Sequence, residues 1–118
     1  MAVNNENNIS QDNVPAGEGT TIQVLISPEE GPNFAMRKFT IQSGGGMPLH
    51  TNMVEHEQYV LKGQAKVQIG DVLHHVKQGD FLLIPNGVQH SYQNSAEGPF
   101  EFLCMIPNKP DKIELVLD

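Results

Sequence analysis

The sequence predicts an all-β domain of about ten antiparallel strands. From Thr21 onward, short segments rich in Val, Ile, Phe and Leu alternate with Gly and Pro roughly every eight to twelve residues, which is typical of an antiparallel sandwich or barrel. No long stretch carries the apolar period of an amphipathic helix. The 118 residues suffice for a single core. Closing or pairing such a sheet creates an inner face on which alternate side chains converge, and the chemistry is expected there.

Two regions are expected along the chain: a flexible N-terminal arm, residues 1–19, and a barrel domain, residues 20–118. The arm is rich in Asn and poor in apolar residues, so it cannot bury enough surface to offset the entropy of ordering. The strands are expected at Thr21–Ile26, Phe34–Gln42, Pro48–Met53, Glu57–Leu61, Gln64–Ile69, Val72–Lys77, Phe81–Ile84, Gln89–Gln93, Phe100–Ile106 and Lys112–Leu117. The Gly44–Gly46 run is interpreted as a bend between the second and third of these strands, since no phosphate-loop GK[ST] follows it.

Composition excludes several classes of partner. The 7 Lys and Arg against 14 Asp and Glu give a net charge of −7, so nucleic acid and anionic membranes are not expected to bind. The longest clean apolar run, Phe81–Ile84, is far shorter than a bilayer span, and residues 1–6 lack the features of a secretory signal. A cytoplasmic location is therefore expected. The single cysteine, Cys104, excludes an intramolecular disulfide and a multi-thiolate zinc site, so any metal chemistry falls to histidine.

Three histidines lie at spacings that allow them to converge inside the predicted barrel. Residues i and i+2 of a strand share a face, which pairs His50 with Asn52. After a short link His56 begins another segment, and His90 lies on a later strand. Imidazole is a good ligand for Zn, Fe, Cu and Ni, whereas an amide oxygen is a weaker and harder ligand. The adjacent histidines at 74–75 face opposite sides of a strand after a predicted turn, and they are left out of the site.

The residues around these histidines resemble the two signature motifs of the cupin superfamily. The first motif spans residues 44–63, where His50, Asn52 and His56 occupy the places of the family's two histidines and its glutamate. The second motif, G-x5-P-x-G-x2-H-x3-N, is matched at every fixed position within residues 79–94. The short spacing between the motifs is similar to that of small single-domain cupins.

This resemblance implies a cupin double-stranded β-helix, a jelly-roll-like barrel, with one divalent metal ion: Mn or Fe first, with Zn, Ni or Cu as alternatives. The run from His50 to Glu57 with a later histidine is similar to bacterial cupins in which four histidines bind manganese. This similarity implies that His50, His56 and His90 are ligands of the metal ion. Asn52 is then either a weak fourth ligand or a group that holds a metal-bound water. Glu57 competes for the acidic place of the motif, but strand alternation turns it away from His56.

Two polar residues are candidates for catalysis. Tyr92 shares a face with His90, so its hydroxyl can bind a substrate oxygen or take part in proton transfer; the alternative is that its ring only packs. Arg37 shares the inward face of its strand and needs an anionic partner, either a substrate carboxylate or an internal acid such as Glu55. Cys104 is interpreted as a small core residue rather than a nucleophile, because no basic neighbour in the sequence would activate its thiol.

The leading functional hypothesis is a dioxygenase-like oxidoreductase that acts on a small anionic substrate at a three-histidine metal site. A neutral three-histidine site leaves the metal its full charge, which favours anionic substrates and suits Fe(II) or Mn(II) oxygen chemistry. The alternatives are a sugar-acid isomerase or ring-opening enzyme and a non-catalytic metal- or small-molecule-binding module. A homodimer is expected because edge strands need covering. Metal loading is expected to fall near pH 6.5, where unperturbed histidine protonates.

Overall fold

The computed structural model describes residues 2–117, and most of the chain is β-structure. Its ten strands are β1 Asp12–Asn13, β2 Glu18–Ile26, β3 Phe34–Thr51, β4 His56–Lys62, β5 Gln64–Ile69, β6 Val72–Lys77, β7 Phe81–Ile84, β8 His90–Gln93, β9 Phe100–Pro107 and β10 Glu114–Leu115. A single 3-10 turn, Glu6–Asn8, precedes them. No helix within residues 2–117 has the length and apolar character needed to cross a membrane. The predicted all-β fold is confirmed.

All ten strands belong to one curled antiparallel sheet with the order β6-β5-β8-β3-β9-β4-β7; β2 and β10 pair with β3, and β1 pairs with β2. The long strand β3 joins the two sides of the curl. Its first half pairs with β2 and β9, and its second half with β8 and β10. The sheet thereby encloses an apolar core that includes Ile41, Val60, Val67, Phe100 and Phe102. The curl explains why residues far apart in the chain meet on one inner face.

Strand β3 corrects the sequence prediction, which placed separate strands at Phe34–Gln42 and Pro48–Met53. The Gly44–Gly46 run lies inside one continuous strand. Gly44 has a φ of +84°, which glycine adopts without strain, and a Cβ on Gly46 would collide with the Tyr92 carbonyl of β8. Glycine therefore lets β3 change partners without ending, and the continued strand places His50 opposite His90.

The ends of the sheet also differ from the prediction. The last strand is only Glu114–Leu115 instead of Lys112–Leu117, and the two-residue strand β1 was not predicted. The total remains ten because this extra strand offsets the merger in β3. Such short strands are held by tertiary pairing with β2 and β3 and carry no apolar pattern of their own.

Residues 6–9 of the N-terminal segment, residues 2–19, lie against the outer face of β2 and β3. The side chain of Gln23 donates hydrogen bonds to the carbonyls of Glu6 and Ile9, and the ammonium of Lys38 lies 2.6 Å from the Glu6 carboxylate and 2.8 Å from Glu101. Lys38 lies on the face of β3 opposite to that of Arg37, and it is only 6% exposed because this segment covers it. Burial alone would lower the pKa of Lys38, but its bonds to Glu101 and Glu6 raise it. These contacts attach residues 6–9 to the sheet. The flexibility expected for residues 1–19 stays a prediction.

An apolar patch lies on the outer face at the β7 end of the sheet. Tyr59, Phe81 and Leu83 are 44%, 83% and 56% exposed, and Tyr59 pairs with Phe81 across β4 and β7. We propose that a second copy covers this patch, and we expect Phe81→Glu to shift the protein from dimer to monomer in sedimentation at micromolar concentration. Val72→Glu, an exposed apolar site at the opposite end of the sheet, is the matched control. A wild-type monomer would contradict the prediction.

Candidate functional site

Three imidazoles from three strands meet on the inner face of the barrel. His50 comes from the end of β3, His56 begins β4 and His90 begins β8. The ring centroids of His50 and His90 are 4.1 Å apart, and those of His56 and His90 are 5.7 Å apart. All three side chains are buried. The structure therefore brings together the three histidines that the sequence singled out.

Backbone carbonyls orient two of these rings. His50 Nδ1 lies 2.7 Å from the Pro48 oxygen, and His90 Nδ1 lies 3.0 Å from the Val88 oxygen. A carbonyl only accepts hydrogen bonds, so each Nδ1 carries the proton and each neutral ring keeps a free lone pair on Nε2. The Nε2 atoms of His56 and His90 are buried without any hydrogen-bond partner. Unpartnered buried nitrogens are costly unless a ligand meets them.

The donor set fits a divalent metal in its chemistry. Neutral imidazoles with free nitrogens are common ligands for transition metals, and a carbonyl bond to the other ring nitrogen is a usual way to orient such ligands. In the present arrangement, however, no group of three or more His, Cys, Asp or Glu side chains within residues 2–117 is placed so that it could hold a metal ion as it stands. The three rings lie close together, but their nitrogens do not converge on one point within metal-binding distance.

Burial keeps these imidazoles neutral. It is the main cause that lowers the pKa of His56 to about 3, with the charge of Arg37 next, and it lowers the pKa of His90 to about 4. The pKa of His50 is also lowered, again mainly by burial. The expectation of protonation near pH 6.5 is therefore wrong for these groups, because it assumed unperturbed histidines.

Asn52 lies at the rim of this cluster and is held by an acid that the sequence analysis missed. Its amide nitrogen donates to the Asp111 carboxylate at 3.2 Å, and the backbone N–H of Met53 donates to the same carboxylate at 2.7 Å. The amide oxygen of Asn52 is buried and has no partner. Asp111 follows β9 in the loop that leads to β10, beyond both motifs, and no local pattern marked it.

Arg37 lines the same cavity without an acidic partner. One terminal nitrogen lies 3.2 Å from Cys104 Sγ, Nε is buried and unpartnered, and the guanidinium carbon is 5.1 Å from the Phe39 ring centroid. The ion pairs within residues 2–117 involve only lysines. Among residues 2–117, Glu55, the alternative internal partner, forms no ion pair with Arg37. The charge of Arg37 is thus available to an anion in the cavity.

Tyr92 is buried and bonded to Gln58. The Gln58 amide nitrogen and the Tyr92 hydroxyl are 2.7 Å apart, and the hydroxyl lies 3.0 Å from the Gln58 amide oxygen. Burial and the nearby Cys104 raise the pKa of Tyr92 above its usual 10, so the phenol stays protonated at neutral pH. Tyr92 can donate a hydrogen bond, but this environment disfavours it as a base.

The cavity that these groups share has a volume of about 340 Å³. One wall is a ladder of aromatic rings: Phe102 stacks between Phe39 and Tyr92, with centroid distances of 5.2 Å to each. Val14 and Pro15 of the N-terminal segment and Ile113 of the C-terminal segment also line it. A flat apolar body with a polar end matches this combination of walls.

The other residues considered in the sequence differ in their relation to this site. Glu57, His74 and His75 are exposed. Cys104 is fully buried in the barrel, where its sulfur lies 3.6 Å from both His56 Nδ1 and the Gln58 amide nitrogen. Strand alternation places Gln58 on the face of His56, and this signal could have marked it as a site residue.

Comparison with known proteins relates this chain to a protein family and to a curated relative. A family model described as "Cupin domain" matches residues 37–106. Over 95 residues the chain is 30% identical to 1-methylthio-D-xylulose 5-phosphate methylsulfurylase of Rhodospirillum rubrum, an alignment that covers 80% of this chain. The chain spans 60% of the length of that relative.

Solved structures with a similar fold superpose on this chain. The polyketide cyclase RemF from Streptomyces resistomycificus superposes with a TM-score of 0.87 and 25% identity, covering 100% of this chain and 88% of that one. A predicted oxalate decarboxylase from Thermotoga maritima superposes with a TM-score of 0.80 and covers 89% of this chain and 97% of the other. Its 21% identity shows a common fold only.

Proposed function

Because this chain belongs to the cupin domain family, we propose that its inner cavity is the active site of a metal-dependent enzyme that acts on a small anionic substrate. Members of this family commonly bind a metal ion. The cavity gathers three neutral imidazoles, one cationic side chain and an aromatic wall in a space suited to a small planar molecule. The proposal keeps the cytoplasmic setting and the homodimer expected from the sequence.

The observation that carries this proposal is the guanidinium of Arg37. It faces the cavity beside neutral histidines, with no carboxylate partner among residues 2–117 and with Nε buried and unpartnered. The side chain is half-buried, and a charged group in that position without an ion-pair partner is expected to gain its partner from the ligand. A substrate carboxylate, enolate or phenolate supplies that negative charge.

His50, His56 and His90 are the residues that would hold the metal, one of Mn or Fe first and Zn, Ni or Cu otherwise. The free Nε2 atoms of His56 and His90 support this assignment. A bound divalent ion would supply Lewis acidity toward the oxygen atoms of the substrate and, for iron or manganese, access to one-electron chemistry. The chain itself supplies orientation of the rings and exclusion of water.

Dioxygenase-like oxidation of a planar anion is the first reaction class within this proposal. In it, Arg37 binds the anionic group, and the Phe39, Phe102 and Tyr92 rings hold the flat body. When the Tyr92 hydroxyl accepts from the Gln58 amide nitrogen, its own proton can be donated to a substrate oxygen. Non-oxidative chemistry through an enolate is the second class: isomerisation or ring opening of sugar acids, as the sequence suggested, or ring closure of a more apolar substrate, which suits the aromatic wall. The likeness to a polyketide cyclase over the whole chain favours this second class. Oxygen consumption with catechols and β-diketones separates the two.

We expect planar carboxylates to bind the metal-loaded protein better than their neutral analogues, as measured by calorimetric titration with benzoate, salicylate and benzamide. Arg37→Gln should weaken binding of the two acids by roughly 10–100-fold, because it removes a charge-assisted hydrogen bond, and should leave benzamide unaffected.

The matched control is Lys66→Gln, which changes net charge equally at an exposed site on β5. Equal binding of acids and amide, or an equal loss from both variants, would overturn the anionic substrate. Acid binding that persists after the metal is chelated, without turnover of any compound in the screen, would favour the non-catalytic binding module.

A further inference from the structure

A carboxylate from the C-terminal segment reaches into the rim of the histidine cluster. Asp111 lines the same cavity as the three histidines. Its Oδ2 accepts a hydrogen bond of 3.2 Å from the Asn52 amide nitrogen, and its Oδ1 accepts bonds from the backbone N–H groups of Met53 at 2.7 Å and Lys112 at 2.8 Å. This loop is therefore tied to residues 52–53 of the segment that follows β3.

These bonds decide which atom Asn52 presents to the cavity. An ionised carboxylate accepts hydrogen bonds and donates none, so Asn52 must turn its NH₂ group toward Asp111. The carboxamide oxygen then points to the other side. That oxygen is buried with no partner, and Asn52 lines the cavity. A buried carbonyl oxygen without a donor is a site for a hydrogen-bond donor or a cation.

An asparagine differs from a histidine at this place because only one end of its amide is useful to a cation. The oxygen is a ligand, whereas the NH₂ group offers no lone pair and repels a positive ion. Free rotation of the amide would make both orientations available. A fixed acceptor on one side removes the unproductive orientation, in the way that outer carboxylates orient metal-binding histidines.

We propose that Asp111 is a positioning residue that holds Asn52 with its carboxamide oxygen toward the metal site, so that Asn52 acts as the oxygen donor beside the three histidines. This inference rests on the proposed function, since it assigns the fourth donor of that same site. Asp111 also brings a negative charge to a cavity whose histidines are neutral, and that charge is among the influences that raise the pKa values of His50, His56 and His90 against their burial.

The test is a set of metal affinities for the full-length protein, measured by titration with Mn²⁺ and with Zn²⁺. Asp111→Ala is expected to weaken binding by roughly 10–100-fold, the usual cost of losing a partner that orients a metal ligand. Asn52→Ala is expected to weaken binding similarly. In the double variant the two losses should not add, because Asp111 acts through Asn52. Glu114→Gln, an exposed acid on β10, is the matched control and should change nothing.

The conservative variant Asp111→Asn separates orientation from charge. Its amide oxygen stays with the backbone N–H groups of Met53 and Lys112, so its NH₂ group faces Asn52 and turns the Asn52 oxygen away from the cavity. Affinity should therefore fall about as far as in Asp111→Ala, whereas in the Asn52→Ala background Asp111→Asn should cause little further loss. An equal loss from Asp111→Asn with and without Asn52→Ala would overturn the inference, because it would mean that charge alone or direct ligation matters. Full additivity in the double variant would overturn it as well.

Two further outcomes are distinguishable. If Asp111→Ala does not fold, by circular dichroism, Asp111→Asn decides: a loss in the otherwise wild-type protein with little further loss in the Asn52→Ala background supports the inference, and equal losses in both overturn it. A wild-type protein that binds neither ion would overturn the proposed function together with this inference. Wild-type binding that Asp111→Ala leaves unchanged would overturn the inference alone.

Discussion

Replacing His90 with alanine will abolish tight retention of a divalent metal, and His56→Ala will do the same. Both rings carry a buried Nε2 that no protein group satisfies, and His90 lies between the other two imidazoles. Loss of a direct ligand should exceed the roughly 10–100-fold that removal of an outer partner costs. Metal content by mass spectrometry after dialysis against a weak chelator measures the effect, with about one ion per chain expected in the wild type.

The matched control for this prediction is His75→Ala, which removes an exposed imidazole on β6. It should leave metal retention unchanged. The three-histidine site is wrong if His90→Ala retains metal as well as the wild type does, or if His75→Ala loses it to the same extent. Thermal unfolding of each metal-free variant shows whether the fold has survived the substitution.

The metal-free protein will lose stability as the pH falls below about 6.5. The pKa of His56 is lowered to about 3 and that of His90 to about 4 in the folded state, from 6.5 in the unfolded chain. Between these values the unfolded state binds more protons than the folded state, so acid favours unfolding. Each histidine changes the free energy of unfolding by up to about 1.4 kcal/mol per pH unit. This contribution to stability is lost progressively as the pH falls from 6.5 toward the pKa of the folded state.

Urea unfolding of the metal-free protein at a series of pH values from 7.5 to about 4.5 measures this slope. His90→Gln removes one of the two main titrating groups and should flatten the dependence, whereas His75→Gln at the exposed β6 site should not. A stability that is independent of pH across this range, or an unchanged slope in His90→Gln, would contradict the buried neutral state of these imidazoles. Metal retention should accordingly persist below pH 6.5 for as long as the protein stays folded.

The two motifs carried most of the site information available in the sequence. His50, His56 and His90 could be selected because strand alternation and the fixed glycine and proline spacings are local properties. The fold class followed from the same pattern of short apolar segments. The inward direction of Arg37 could be predicted because it alternates with Lys38 along one strand. The absence of an acidic partner for Arg37 among residues 2–117 could not be predicted, because it depends on which elements surround the side chain.

The amino-acid sequence by itself determined the all-β architecture and the inward face that the histidines share, because these depend on period and on turn residues. Only the tertiary structure decided what each side chain meets. Asp111 reaches Asn52 through a loop without periodicity, Lys38 is covered by a segment that local composition marks as unable to pack, and β3 passes through three glycines because β8 pairs with its second half. Such contacts join residues distant in the chain, and their energies arise only after the sheet has curled.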